Sequence, residues 1–111
     1  MKSYSYTEVI TLVPGLDEPM LRRLVQARIV LPMAAGAEHR LRDADVARLR
    51  LCCELSDGFG LHDDALALVL DLVDEMHGLR GELRALMAAL SEEEEPVQAR
   101  IRDRIVRARG R

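Results

Sequence analysis

The sequence predicts an all-α, mainly helical protein: a helix-turn-helix with a small hairpin wing, a second helix pair and a long C-terminal dimerisation helix. Three observations carry this reading. Short segments with helical apolar spacing alternate with proline and glycine breaks over residues 1–61. A leucine row with heptad spacing then occupies residues 62–90. Charge is sorted along the chain, acidic in the middle and basic at the end, so residues 91–111 read as an acidic break and a basic tail, either frayed or a short helix with Val97, Ile101 and Ile105 on one side.

The elements follow in order. In "SYTEVITLV", Ser5 and Thr7 are N-cap candidates for a short helix that Pro14 and Gly15 end. Asp17 precedes "EPMLRRLVQARIV", with Pro19 in the first turn, where a missing N–H does no harm. Met20, Leu21, Leu24 and Val25 share one face of this helix, flanked by Arg22 and Arg23. Two short helices across a tight Pro-Gly turn read as a helix-turn-helix. "IVLPMAAGAEHRLR" holds Pro32 and Gly36 between stretches able to pair, which suggests a hairpin. Asp43 or Asp45 starts the next helix, with Val46, Leu49, Cys53 and Leu55 inward, and "SDGFG" ends it through the left-handed freedom of Gly58 and Gly60.

The long helix begins near His62 or Asp63. Ala65, Val69, Leu72, Met76, Leu79, Leu83, Leu86 and Leu90 recur at spacings of 4, 3, 4, 3, 4, 3 and 4. The first half of this row is wider, because Leu66, Leu68, Leu70 and Val73 join it, so it is expected to pack on the globular body. Gly78 and Gly81 each cost the helix about 1 kcal/mol relative to alanine. Each buried leucine returns about 1.5–3 kcal/mol. The segment therefore gains a margin once its row meets another apolar surface, most simply in a two-fold homodimer through Leu72, Met76, Leu79, Leu83, Leu86 and Leu90. Packing against the rest of the same chain is the alternative.

Composition narrows function. At 111 residues the chain is one domain by length, and a hydrophobic fraction of 49% separates it from disordered sequences. No apolar run approaches a membrane span, and the N-terminus does not read as a secretion signal, so a cytoplasmic protein is expected. Adjacent Cys52 and Cys53 match neither disulfide nor CxxC metal spacing, so at least one is expected in the core. No phosphate loop, nucleophile–base set or metal-ligand cluster stands out, and no catalytic residue, cofactor or metal is expected. His62, Asp63 and Asp64 at a helix start are better explained by capping and the helix dipole than by acid–base catalysis.

The formal charge of -3 conceals a marked asymmetry. Residues 1–50 carry a net +2, residues 51–96 a net -10, and residues 97–111 a net +5. Asp64, Asp71, Glu75 and Glu82 fall within about 40° of one another at about 100° per residue, beside the leucine row. Asp63 and Asp74 extend this stripe, and Arg80 and Arg84 are the only basic residues between 51 and 96. An uncompensated acidic face suits a basic partner.

The order of features resembles the MerR-type helix-turn-helix superfamily, through "YTEVITLVPGLDEPMLRRLVQARIVLP", "HRLRDADVARLRL" and "GFGLHDDALALVLDLVDEMHGLRGELRAL". The last segment is similar to the chaperone-modulator branch of that superfamily, the CbpM type. The resemblance covers roughly residues 4 to 90. It implies a protein that binds the J-domain of a DnaJ-like co-chaperone (CbpA type), inhibiting its work with DnaK and its binding to DNA. J-domains of that class present a basic helix, which the acidic stripe would receive. The other branch implies a DNA-binding transcription regulator reading DNA through Arg22, Arg23, Arg40 and Arg42. There Leu21 and Arg22 match the family pattern, but Leu24 and Val25 replace its aromatic residues, and His39 and Leu41 replace those of the wing.

Overall fold

The computed structural model describes residues 2–110. The chain forms two compact units, Met1–Val73 and Asp74–Arg111. The elements are β1 (Ser3–Tyr4), α1 (Tyr6–Leu12), α2 (Glu18–Gln26), β2 (Met33–Ala35), β3 (Glu38–Arg42), α3 (Asp43–Phe59), α4 (Asp63–Ser91) and α5 (Glu95–Arg109). The protein is mostly helical, with one small three-stranded antiparallel sheet of order β1-β3-β2.

Local chemistry sets the helix starts of the first unit. Ser5 caps α1: its side chain accepts from the Glu8 amide at 3.1 Å, and Glu8 reaches back to the Ser5 amide at 3.4 Å. This reciprocal box satisfies two amides that lack helical partners. Asp17 caps α2 by accepting from the Met20 amide at 2.8 Å, with Pro19 in the first turn as expected. Gly15, between the two helices, has φ +84°, and a Cβ there would lie 2.9 Å from Asp57 Oδ2. The turn therefore needs glycine for its backbone; the nearby Asp57 carboxylate ends a flexible, exposed side chain that can turn aside.

The other end of α2 departs from the usual rule. Arg28, not glycine, takes a left-handed φ of 61°. The Arg28 amide donates to the Val25 carbonyl at 3.1 Å and the Ile29 amide to the Leu24 carbonyl at 3.0 Å. That pair of bonds is a Schellman termination, and it carries Ile29 and Val30 into the core.

The expected hairpin forms between β2 and β3, with Met33 opposite Arg40 and Ala35 opposite Glu38. A third strand was not foreseen: β1 pairs with β3 through Ser3–Arg42 and Tyr4–Leu41, so the fold is not strictly all-α. A two-residue strand carries no alternation from which to read it. One helix, α3, stands where a second helix pair was expected, and the first turns of α4 supply its companion surface. Leu66 and Leu70 of α4 join the core cluster that contains Leu49, Cys52, Leu21 and Leu41. Of the two glycines expected to end α3, Gly58 remains helical, and Gly60, at φ 66°, makes the turn.

The second unit holds the remainder of α4 and all of α5. Of the two forms open to the basic tail, a short helix and a frayed end, α5 is the helix, from Glu95 to Arg109. Between the helices, Gln98 Nε2 donates to the Glu93 carbonyl at 2.8 Å and to the Ser91 carbonyl at 3.4 Å. Pro96 lies in the first turn of α5.

Candidate functional site

Helix α4 carries two apolar faces. Leu66 and Leu70, four residues apart, point into the core, with Val69 partly buried beside them. Leu68 and Leu72 point elsewhere and remain exposed. At about 100° per residue, the second face is turned from the first by roughly 160°. The expectation that Leu68 helps bind the helix to the body is therefore corrected: it sits on the outer face. In the second unit, Met76, Leu79, Leu83 and Leu86 recur at 3-4 spacing, with Leu79, Leu83 and Leu86 exposed at 65%, 58% and 67%. Leu90, at the end of this row, is half-buried. Nothing in the single chain covers Leu79, Leu83 and Leu86, a larger apolar patch than isolated surface leucines make.

The acidic residues flank this row. Asp64, Asp71, Glu75 and Glu82 are exposed and form no ion pair among the described residues. Asp74 is also exposed. Asp63 differs, because its carboxylate lies 3.4 Å from Arg23 Nε, which partly neutralises it. The sequence places those two residues forty positions apart, so no local pattern announces the pair.

All four arginines considered for DNA have protein partners. Arg22 pairs with Glu18 at 2.6 Å, Arg23 with Asp63 at 3.4 Å, and Arg42 with Asp45 at 3.2 Å. Arg40 lies 3.8 Å from Glu38 and donates to the Ser3 carbonyl at 3.0 Å and to Ser3 Oγ at 3.1 Å. Arg40 thus joins β3 to β1. Arg42 and Asp45 join the wing to α3: the nearly buried Asp45 accepts from the Arg42 amide at 2.8 Å as well as from its guanidinium. Exposed pairs such as Arg22–Glu18 are worth little individually. Together they reduce the positive field this surface could offer a phosphate backbone.

Both cysteines are buried and free. Burial, reinforced by the neighbouring Cys53, pushes the Cys52 thiol up to about 11. Burial and then Asp57 raise Cys53. Cys53 Sγ lies 4.0 Å from Met20 Sδ, and both thiols pack within the core cluster. Among the described residues, no cluster of three or more His, Cys, Asp or Glu side chains is placed to hold a metal ion. No helix among them is long and apolar enough to cross a membrane.

Sequence reasoning missed a groove in the first unit. An open cavity of about 420 Å³ is lined by Lys2, Leu12, Val46, Arg50, Leu51 and Glu54. Its signal was Leu12, an apolar residue at the end of α1 that stays largely exposed.

No protein-family model, curated protein or solved structure matches this chain.

Proposed function

We propose that this protein is a MerR-like modulator that binds the J-domain of a DnaJ-like co-chaperone and inhibits its co-chaperone and DNA-binding activity. The observation that carries the reading is the pairing of two adjacent, unpartnered rows on α4. The leucine row offers apolar area, and Asp64, Asp71, Glu75 and Glu82 offer exposed negative charge beside it. A basic amphipathic helix, such as a J-domain of the class suggested by the sequence resemblance presents, is complementary to both rows. Covering that helix would deny it to DnaK. The engagement of Arg22, Arg23, Arg40 and Arg42 in local pairs favours a protein client over DNA.

The test is calorimetric titration of the full chain with cognate J-domains at low and high salt. Heat at low salt that fades as salt rises is expected, because exposed charges are screened. Absence of heat with every cognate J-domain at low salt overturns the proposal. D71K/E75K should weaken binding on the order of tenfold or more, since each reversal replaces attraction by repulsion. Unchanged affinity in that variant removes the acidic row from the site.

A further inference from the structure

Helix α5 carries the same two-row design as α4 with the opposite charge. Val97, Ile101, Ile105 and Ala108 lie on one side of α5, and Arg100, Arg104 and Arg107 line one flank of that side. At about 100° per residue, the basic row lies roughly 90° from the apolar row of α5. The acidic row lies roughly 80° from the apolar row of α4, in the same rotational sense. When two right-handed helices face each other, flanks of the same sense meet if the helices are antiparallel and separate if they are parallel. An antiparallel α4–α5 pair therefore brings acid against base, whereas an antiparallel α4–α4 pair brings acid against acid.

Spacing agrees with this geometry. Glu75 and Glu82 are seven residues apart, as are Arg100 and Arg107. Both intervals rise about 10.5 Å along a helix. Antiparallel, Arg107 meets Glu75 while Arg100 meets Glu82. Within one chain α5 does not cover the row, because Leu79, Leu83 and Leu86 remain more than half exposed and the Gln98 bonds hold the intervening turn. Along the apolar row of α5, Ile105 and Ala108 are exposed, and Val97 and Ile101 are half-buried.

We propose that α5 of a second copy packs antiparallel on the outer apolar row of α4, reciprocally, so that two chains form a two-fold dimer with Arg100 and Arg107 against Glu82 and Glu75. In this register the apolar part of α5 from Val97 to Ala108, about 16 Å long, faces residues 74–85 and covers Met76, Leu79 and Leu83. Its consequence for the client rests on the function proposed above: α5 and a basic client helix then compete for Glu75 and Glu82.

The test needs no client, so its failure is distinguishable from failure of the proposed function. Sedimentation equilibrium is run on the full chain, on E75R/E82R, on R100E/R107E and on an equimolar mixture of the two variants. The wild-type chain is expected to dimerise. Each variant alone should dissociate on the order of a hundredfold more readily, because four facing pairs become repulsive. In the mixture, positive α4 meets negative α5 and negative α4 meets positive α5, so a heterodimer should form with near wild-type affinity. A monomeric wild type, variants that dimerise as well as wild type, or a mixture that stays monomeric each overturns the proposal. Circular dichroism of each variant must show wild-type helix content and wild-type first-unit melting. A cysteine pair at Glu82→Cys and Arg100→Cys adds the direction: rapid intermolecular cross-linking supports the antiparallel register, and its absence in a dimer that forms overturns it.

Discussion

Arg28 holds a left-handed backbone that costs an L-residue about 1–2 kcal/mol, yet the termination it serves directs Ile29 and Val30 into the core. Glycine would relieve that strain while losing more unfolded-state entropy, so Arg28→Gly should stabilise the fold by about 0.5–1 kcal/mol in urea denaturation. Gly15 is the converse case. Gly15→Ala puts an L-residue at a left-handed φ, and a loss of about 1–2 kcal/mol is expected. Because the exposed Asp57 side chain can turn aside, pairing Gly15→Ala with Asp57→Ala should leave most of the loss in place. The cysteines set a pH dependence. Cys52 is pushed up from the ordinary 9.0 to about 11 in the fold, so between those values the unfolded chain gives up a proton that the folded chain keeps. Its contribution to stability is complete below about pH 9 and is lost as pH rises toward 11. Comparing urea midpoints of the wild type and Cys52→Val across that range isolates the effect, and the wild type should lose on the order of 2 kcal/mol more.

At the scale of elements, α4 is the informative case, because one helix serves a core and an outer face. The outer row was legible because its 3-4 spacing persists over four heptads, longer than a core-packing face requires. The division between the two faces was not, since within residues 65–73 nearly every position is apolar and a short window cannot orient them. Leu68 was assigned to the body for that reason, and only the burial of Leu66 and Leu70 distinguishes the faces. Helix starts were legible wherever a cap is local, as at Ser5 and Asp17. Strand β1 was not, because two residues gain their form entirely from pairing with β3. Among the candidate site residues, the spacing of the acids was available from sequence. The Arg23–Asp63 pair and the Arg40–Ser3 bonds were not, since both are made by tertiary contact. The glycines of α4 yield a prediction at this scale. A Cβ at Gly78 or Gly81 meets nothing within 4 Å, and both positions lie off the leucine row. G78A/G81A should therefore raise helix stability by about 1 kcal/mol per site, read as a higher melting point by circular dichroism.

Across the whole molecule, apolar burial is distributed as unequally as charge. Every buried core side chain belongs to the first unit: α5 has none, and the two in α4, Leu66 and Leu70, lie before residue 74. Isolated helices of fewer than about 12–15 residues are marginal in water, and longer ones gain little without packing. The second unit thus has helical form without an enclosed core, and the dimer proposed above would supply the stability that its own packing does not. The first unit, with its core of leucines and valines from five helices and strands, should unfold by itself. Thermal melting of the full chain should therefore show two transitions at micromolar concentrations. The lower one, belonging to Asp74–Arg111, should rise with protein concentration by mass action, while the upper one should not move. Leu79→Asp with Leu83→Asp removes apolar area from the outer row and touches no core residue. In that variant the lower transition should fall and lose its concentration dependence, and the upper one should be unchanged. A single transition independent of concentration in the wild type would show instead that the second unit is held by its own chain, and the leucine row would then need no second surface to explain its helix.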